Sequence, residues 1–278
     1  MFYTKILRPF FFRCNPEFMH DFMVFWGEIF GTFSPARWFI NLAWGYRGKD
    51  ISKTVDGVRY GRPVLLSAGF DTDGRLSRIL SSISFGGEEV GSVTARPCPG
   101  NSKPQLTRLI RNNSLVVYKG LKNHGARVIA KRLAKRGASP GFVVGISIAQ
   151  TNDEKVSDAE SGLEDYYETF KTMNEADVGD YYTINISCPN TFGGETFATP
   201  ELLMRLLAKL STVPCKKPRY VKMPINLEWE AFNELLKIID RFGYNGVIIG
   251  NLNKKYSMLD FPEDAPKEWR GGLSGKPC

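Results

Sequence analysis

Two histidines and five cysteines are all that this 278-residue chain offers to soft or borderline metal ions. With His20 and His124 alone, a multi-histidine metal centre is not expected. Cys14, Cys98, Cys188, Cys215 and Cys278 are odd in number and form no C-x-x-C pair. That argues against a disulfide framework and for a reducing compartment. No stretch reaches the run of about 18 uncharged apolar residues that a membrane span needs. Polar and charged residues interrupt every apolar run near the N-terminus, so there is no signal-peptide layout. No G-x-G-x-x-G follows the first strand candidate, which removes the fingerprint of a dinucleotide-binding sheet. Zinc-finger spacing, helix-turn-helix patterns and basic repeats are also missing, and nucleic acid is not expected as a partner.

What is there is an ordinary globular composition, 42% hydrophobic and 24% charged. The net charge of +8, from 37 Lys and Arg against 29 Asp and Glu, favours anionic partners such as lipid, a phosphorylated cofactor or a carboxylate substrate.

The opening differs from the rest. Residues 1–46 hold 15 of the 35 aromatic side chains, among them Phe10, Phe22, Trp26, Trp38 and Trp44. Asn15, Pro16 and Glu17 read as a helix cap, a first helical position and a dipole-matched acid, with Gly31 closing the helix. Ser34-Pro35 opens another helix. Arg8, Arg13, Arg37, Arg47 and Lys49 accompany the rings, as suits a helical pair lying on a membrane surface. The alternative is that the rings pack on the main domain. Residues 1–49 are read as an aromatic, basic helical extension, lying on a membrane or packed on the main domain, and 50–278 as the main domain.

From residue 61 strands alternate with helices. Buried-strand candidates are 63–69, 88–94, 141–148, 181–187, 219–223 and 246–250. Helical faces lie at Leu76, Ile79, Leu80 and Ile83; at Val128, Ile129 and Leu133; at Leu203, Leu206, Leu207 and Leu210, capped by Thr199; and at Phe232, Leu235, Leu236 and Ile239. Six βα units in succession predict an α/β fold with a parallel sheet, and a (β/α)8 barrel is the commonest home for so many. Two more units, on the order of 60 residues, would be needed to close it, so the expectation is an incomplete barrel.

In such barrels the chemistry gathers at the C-terminal ends of the strands. Lys222 ends an otherwise apolar strand, where an unpaired ammonium is costly; it either meets an electron-rich ligand or reaches solvent. Asn185, Asn190 and Asn251 would bring amides to one mouth, a set that suits a flat heterocycle with alternating carbonyl and N–H groups. Cys188 is either a small buried hydrophobe or, at a barrel mouth, a nucleophile or base.

Several motifs in order resemble the dihydroorotate dehydrogenases, and the quinone-dependent class in particular. They are N-I-S-C-P-N-T at Asn185–Thr191, V-G-S-V-T-A-R-P-C-P-G-N-S-K-P at Val90–Pro104, S-A-G-F-D-T-D-G at Ser67–Gly74, G-G-L-S-G-K-P at Gly271–Pro277 and N-P-E-x-x-H at Asn15–His20. The resemblance implies an FMN cofactor, dihydroorotate as substrate with orotate as product, a quinone acceptor, pyrimidine biosynthesis, and peripheral attachment to the cytoplasmic face of a bacterial inner membrane or an organellar equivalent. It implies that Ala68, Gly69, Ser92, Ser147, Lys222 and Gly272 lie along the flavin. Asn185, Asn190 and Asn251 would hold the pyrimidine, and Cys188 would be the base that removes the C5 proton.

The match departs from that class at several positions. Cys188 stands where it usually carries serine. Thr72 stands in place of a lysine, Val117 in place of an asparagine, and Ser147 in place of another asparagine. Lys119, two residues from Val117, is the candidate to restore the missing charge at the substrate. The amides that hold the flavin phosphate in the family follow strands that this text does not contain. Two other readings stay open: a flavoprotein of the same fold with a different substrate, and a non-catalytic membrane-surface protein derived from the barrel.

Overall fold

The computed structural model describes residues 3–137, 139–156, 158–188, 191, 197–268 and 270–278. Its opening is helical. A π-turn at Tyr3–Leu7 leads into α1 (Arg8–Arg13), α2 (Pro16–Thr32) and α3 (Ser34–Trp44). The Asn15 cap forms as its residue type dictates, its Oδ1 accepting from the amides of Glu17 at 2.8 Å and Phe18 at 3.1 Å. α2 runs one residue past Gly31 because that glycine packs instead of capping. A Cβ added there would sit 3.2 Å from the Ile79 amide nitrogen and 3.3 Å from Arg78 Cβ. The missing side chain lets α2 settle on α4 (Ser77–Leu80), with Val24 buried beneath it.

A hairpin of β1 (Lys53–Val55) and β2 (Val58–Tyr60) turns through Asp56 and Gly57, both at positive φ, as a two-residue Asp-Gly hairpin turn requires. Then comes the main sheet: β3 (Leu65–Leu66), β4 (Gly87–Val93), β7 (Val143–Ile148), β8 (Tyr181–Asn185), β9 (Arg219–Met223) and β10 (Gly246–Ile249). All its pairings are parallel and its spatial order follows the sequence, β3-β4-β7-β8-β9-β10. A doubly wound sheet would reverse direction at a switch point; this one never does. Right-handed crossovers in strictly sequential order wind one way, which is the topology of a partial (β/α) barrel.

The alternation along each strand sorts residues between two faces. Val90, Val144, Ile146, Ile148, Ile184, Val221 and Met223 face the helices α5 (Ala126–Ala134), α6 (Ala159–Glu175), α7 (Pro200–Leu210) and α8 (Trp229–Arg241) in one continuous core. Glu89, Gly145, Tyr181, Thr183 and Lys222 take the other face. There Tyr181 Oη and Thr183 Oγ1 donate to Glu89 at 3.3 and 2.9 Å.

The helical faces are largely as read, with three differences. Val128 is 46% exposed, because Ala126, Ile129, Ala130 and Leu133 fill the buried stripe of α5. Thr199 precedes α7 without a side-chain capping bond. α6, which the pattern did not disclose, carries buried Asp165 and Thr169 on its apolar face. These are held by Thr151, whose amide and hydroxyl both donate to Asp165, and by a Thr169 hydroxyl bond to the Asp165 carbonyl.

A second sheet stands over the strand ends. β5 (Leu106–Leu109), β6 (Ser114–Val117) and β11 (Gly272–Gly275) pair antiparallel in the order β11-β6-β5. Leu109, Val116, Leu259 and Leu273 form its own small core. α2 is tied to this sheet by Glu17, whose carboxylate accepts from the amides of Gln105 and Leu106.

Candidate active site

The loops after the strands, the small sheet and the inner side of α2 enclose one cavity of about 540 Å3, within the range of small-molecule sites. Ala68, Gly69, Ser92, Asn185, Cys188, Lys222 and Asn251 all line it, as does Lys119. Asn190 lies outside the described residues. Ser147 and Gly272 do not reach the cavity directly. Ser147 is fully buried, and its hydroxyl bonds that of Ser92 at 2.7 Å. Gly272 pairs with Val117 and lies behind Leu252, whose Cβ would be 2.4 Å from a Cβ added to the glycine.

Lys222 enters from β9, 9% exposed, as the strand's alternation demands of a residue between outward-facing Val221 and Met223. Among the described residues no carboxylate comes within 4 Å of its ammonium. Glu89 lies deeper in the barrel. Burial raises the pKa of the Glu89 carboxyl, and the positive charge of Lys222 opposes that rise. A cation held in this way faces the cavity and suits an electron-rich ring edge.

The asparagines are organised by a residue that the strand-end reading passed over. Ser187, fully buried, donates its hydroxyl to Asn185 Oδ1 at 2.8 Å. Asn251 Nδ2 donates to the Ser187 carbonyl and hydroxyl oxygens, each at 2.8 Å. Asn185 Nδ2 donates to Ser92 Oγ at 2.8 Å. Both amides are thus fixed in orientation from within the protein, beside Cys188.

At the far end of the cavity stand Pro16, Met19, His20 and Met23 of α2, with Arg108 of β5. Arg108 donates to the Cys14 carbonyl at 2.8 Å and stacks over Phe12 at 4.7 Å. His20 had a signal in the N-P-E-x-x-H motif; Arg108, in a strand absent from the sequence reading, had none. Lys119 sits between α2 and the β3 loop, its Nζ 3.1 Å from His20 Nε2 and 2.9 Å from the Gly69 carbonyl oxygen. Burial pushes its ammonium down to about 8, with Asp21 pulling the other way. Lys122 also reaches the cavity, although Gly120 lies between the two lysines. Thr72 and Val117 line the same space.

A polar cleft of about 360 Å3 lies on the other side of His20, Phe70, Thr72, Leu106, Lys119 and Lys122, and those six residues line both spaces. Asp21, Asp73, Lys103 and His124 belong to the cleft alone.

A profile of the family described as dihydroorotate dehydrogenase matches residues 50–278. The chain belongs to the dihydroorotate dehydrogenase family. A relative from Trichormus variabilis named dihydroorotate dehydrogenase (quinone) is 31% identical over 99% of this chain and 76% of its own length. Another of that name from Salinispora arenicola is 33% identical, over 100% of this chain and 80% of its own. Among solved structures, the Eimeria tenella dihydroorotate dehydrogenase in complex with ferulenol superposes with a TM-score of 0.76 at 22% identity, over 95% of this chain and 73% of that one. That likeness establishes the shared fold. The family membership makes this chain an oxidoreductase scaffold of the partial-barrel type described above.

Proposed function

We propose that this chain oxidises dihydroorotate to orotate with bound FMN and passes the electrons to a quinone, the step that pyrimidine biosynthesis requires. One observation carries the reading. A single cavity joins Asn185, Cys188, Lys222 and Asn251 at the strand ends to His20 and Arg108 beneath the N-terminal helices. Such a space can hold a flat cofactor between a polar substrate at the strand ends and an apolar acceptor under the helices. The names of the relatives point to the same pair of substrates.

The residues present fit a flavin ring. Lys222 offers a buried cation and Ser92 a hydroxyl. Gly69, at φ 102°, has nothing within 4 Å of where a Cβ would stand, leaving open space for a planar group. When bound, the flavin supplies a two-electron acceptor. Around it, Asn185 and Asn251 orient the pyrimidine, Lys119 faces the substrate carboxylate in place of the family's lysine at Thr72, and the Cys188 thiolate takes the proton from C5.

The first helices are the membrane-facing part and the quinone entrance, a peripheral attachment consistent with the cytoplasmic face of an inner or organellar membrane. Phe10, Phe18, Phe33, Trp38, Phe39 and Trp44 are each at least 60% exposed, which disfavours packing of these rings on the main domain. No helix among the described residues is long and apolar enough to cross a membrane. A related flavoprotein acting on another substrate is the second reading, favoured by Thr72 and Val117, which bring neither charge nor amide to the cavity.

The test is orotate formation from dihydroorotate by the FMN-reconstituted chain with a soluble quinone. Turnover that depends on both FMN and quinone is expected. Bound FMN without orotate formation, with any quinone, would overturn the reading in favour of the second.

A further inference from the structure

We propose that the pocket between α2, α4 and the end of α5 holds the phosphoryl group of a membrane lipid, anchoring the protein by one headgroup beside its exposed aromatic helices. The proposal rests on the reading of those helices as the membrane-facing part.

Charge carries it. A cavity of about 220 Å3 is lined by Arg75, Arg78, Arg132, Lys135 and Arg136, and by a single acid, Glu28. Glu28 is already committed to Arg75, at 2.5 Å. The other four cations have no carboxylate within 4 Å among the described residues. Arg78 donates to the carbonyls of Lys135 and, at 3.1 Å, of Arg136, and Arg132 donates to that of Asp73 at 2.8 Å. Those bonds fix the guanidinium groups but leave their charge uncancelled. The C-terminal dipole of α5 offsets only about half a charge. Glu88, buried beside Ser77, does not serve either, since burial favours its neutral form. Four cations around one small space therefore lack a counter-ion, and they repel one another until an anion enters.

Two of the lining residues also hold unused donors. Ser77, 2% exposed, carries a hydroxyl and Arg136 a buried Nη1, and neither atom has a well-formed hydrogen bond among the described residues. Buried donors left over in this way mark the place of a water or an ion. A phosphoryl group fits, because it brings up to two negative charges and several strong acceptor oxygens. Location chooses its source. Phe25, Glu28, Ile29 and Thr32 follow one another on α2 at i, i+3, i+4 and i+7, and so form one strip of that helix. Glu28 and Thr32 line the pocket, while Phe25 and Ile29 are exposed, as is Phe33 just beyond. A lipid seats its phosphate among the arginines and runs its chains along these apolar side chains. A free phosphate would use only the first half of that surface.

The experiment is co-sedimentation of the full chain with phosphatidylcholine vesicles doped with phosphatidic acid, or with phosphatidylglycerol to the same surface charge. The terminal phosphate of phosphatidic acid can enter a small pocket, whereas that of phosphatidylglycerol is covered by its glycerol. Diffuse attraction to the surface treats the two alike. Stronger binding to phosphatidic acid is expected, and inorganic phosphate at constant ionic strength should remove the excess. Lys135→Glu should weaken binding to phosphatidic acid by about fivefold or more and abolish the preference. Lys131→Glu, on the same helix but outside the pocket, makes the same change in net charge and should keep the preference. Both lysines are exposed, so neither change disturbs the core. Equal binding to the two lipids, or equal loss of preference in the two variants, overturns the proposal and leaves the membrane reading standing. Calorimetric binding of inorganic phosphate that Lys135→Glu removes, with no lipid preference, overturns the lipid and makes this a site for a soluble phosphate. Sedimentation with no vesicle at all overturns the membrane reading, and the proposal with it.

Discussion

The side-chain amide of Asn251 donates to two oxygens of one residue, the carbonyl and the hydroxyl of Ser187, each at 2.8 Å. The same hydroxyl donates on to Asn185. Two asparagines from different strand ends are therefore set by a serine that does not itself face the ligand. Ser187→Ala removes the link, leaving a buried acceptor on Asn185 with one donor fewer, a loss of about 1–3 kcal/mol. Orotate should bind about tenfold more weakly, with a lower Tm. Unchanged orotate affinity would show that the asparagines hold their orientation without it.

Cys188 shares the cavity with these asparagines and is half-buried, as a base that must meet substrate should be. Cys188→Ala should lower steady-state turnover by about 10²–10⁴ while flavin content stays the same. Cys188→Ser should keep part of the activity, with its pH optimum moved upward, since a hydroxyl yields its proton less readily than a thiol. A fully active Cys188→Ala protein would remove the assignment.

How much of this could be read from the text depended on how local the cause was. β4, β7, β8 and β9 were legible because each keeps an apolar residue on its outer face, as Ile146–Ile148 and Val221–Met223 do; β3 shrinks to Leu65–Leu66 from the 63–69 expected, and the edge strand β10 is only half-buried, with Ile249 exposed. α6 was passed over although Leu163, Tyr166, Phe170 and Met173 repeat at i, i+3, i+7 and i+10; Asp165 and Thr169 flank that stripe and are buried with it, held by tertiary hydrogen bonds. β6 and β11 find each other across more than 150 residues, with four-residue strands that carry too little pattern to announce a partner. At the site, residue types at strand ends disclosed Asn185, Cys188, Lys222 and Asn251. Which donor meets which acceptor, as at Ser187 and His20, depends on rotamers and on helix docking that no spacing encodes.

Thr72 and Lys119 both line the cavity, Thr72 in the loop whose Gly69 carbonyl accepts from Lys119 Nζ at 2.9 Å. If Lys119 supplies the charge that Thr72 does not, Lys119→Met should raise the orotate dissociation constant at least tenfold, about 1.4 kcal/mol. Adding Thr72→Lys in that background should restore much of the loss, because a cation returns to the same cavity lining. Equal affinity of the wild type and Lys119→Met would favour an uncharged substrate.

Trp38 and Phe39 stand side by side on α3, 61% and 62% exposed, with ring centroids 4.8 Å apart. No residue of α3 is buried, so replacing these two leaves the core untouched. The double change Trp38→Ser, Phe39→Ser should sharply reduce sedimentation with vesicles containing anionic lipid, at unchanged Tm. Undiminished sedimentation would move the membrane contact elsewhere. These substitutions are cleaner than deleting residues 1–49, which would also remove His20 and Glu17 and uncover Leu76 and Ile79.

Glu88 tests the barrel itself. It is fully buried on β4, with no well-formed hydrogen bond to either carboxyl oxygen among the described residues, although the side chains of Ser77 and Asp71 lie beside it. Burial, and next the negative charge of Asp71, raise its pKa well above the ordinary value. The folded protein therefore keeps a proton there that the unfolded chain releases above about pH 4.5. With more protons bound in the folded state, stability falls as pH rises through that window, and the loss continues up to the folded-state pKa. Glu88→Gln keeps the shape but has no proton to hold. It should change Tm little near pH 4, and should raise Tm relative to wild type increasingly toward neutral pH. Thermal unfolding of both proteins across that range decides it. A Tm difference independent of pH would mean that Glu88 is ionised in the fold and stabilised by a partner, and the buried neutral acid would have to be given up.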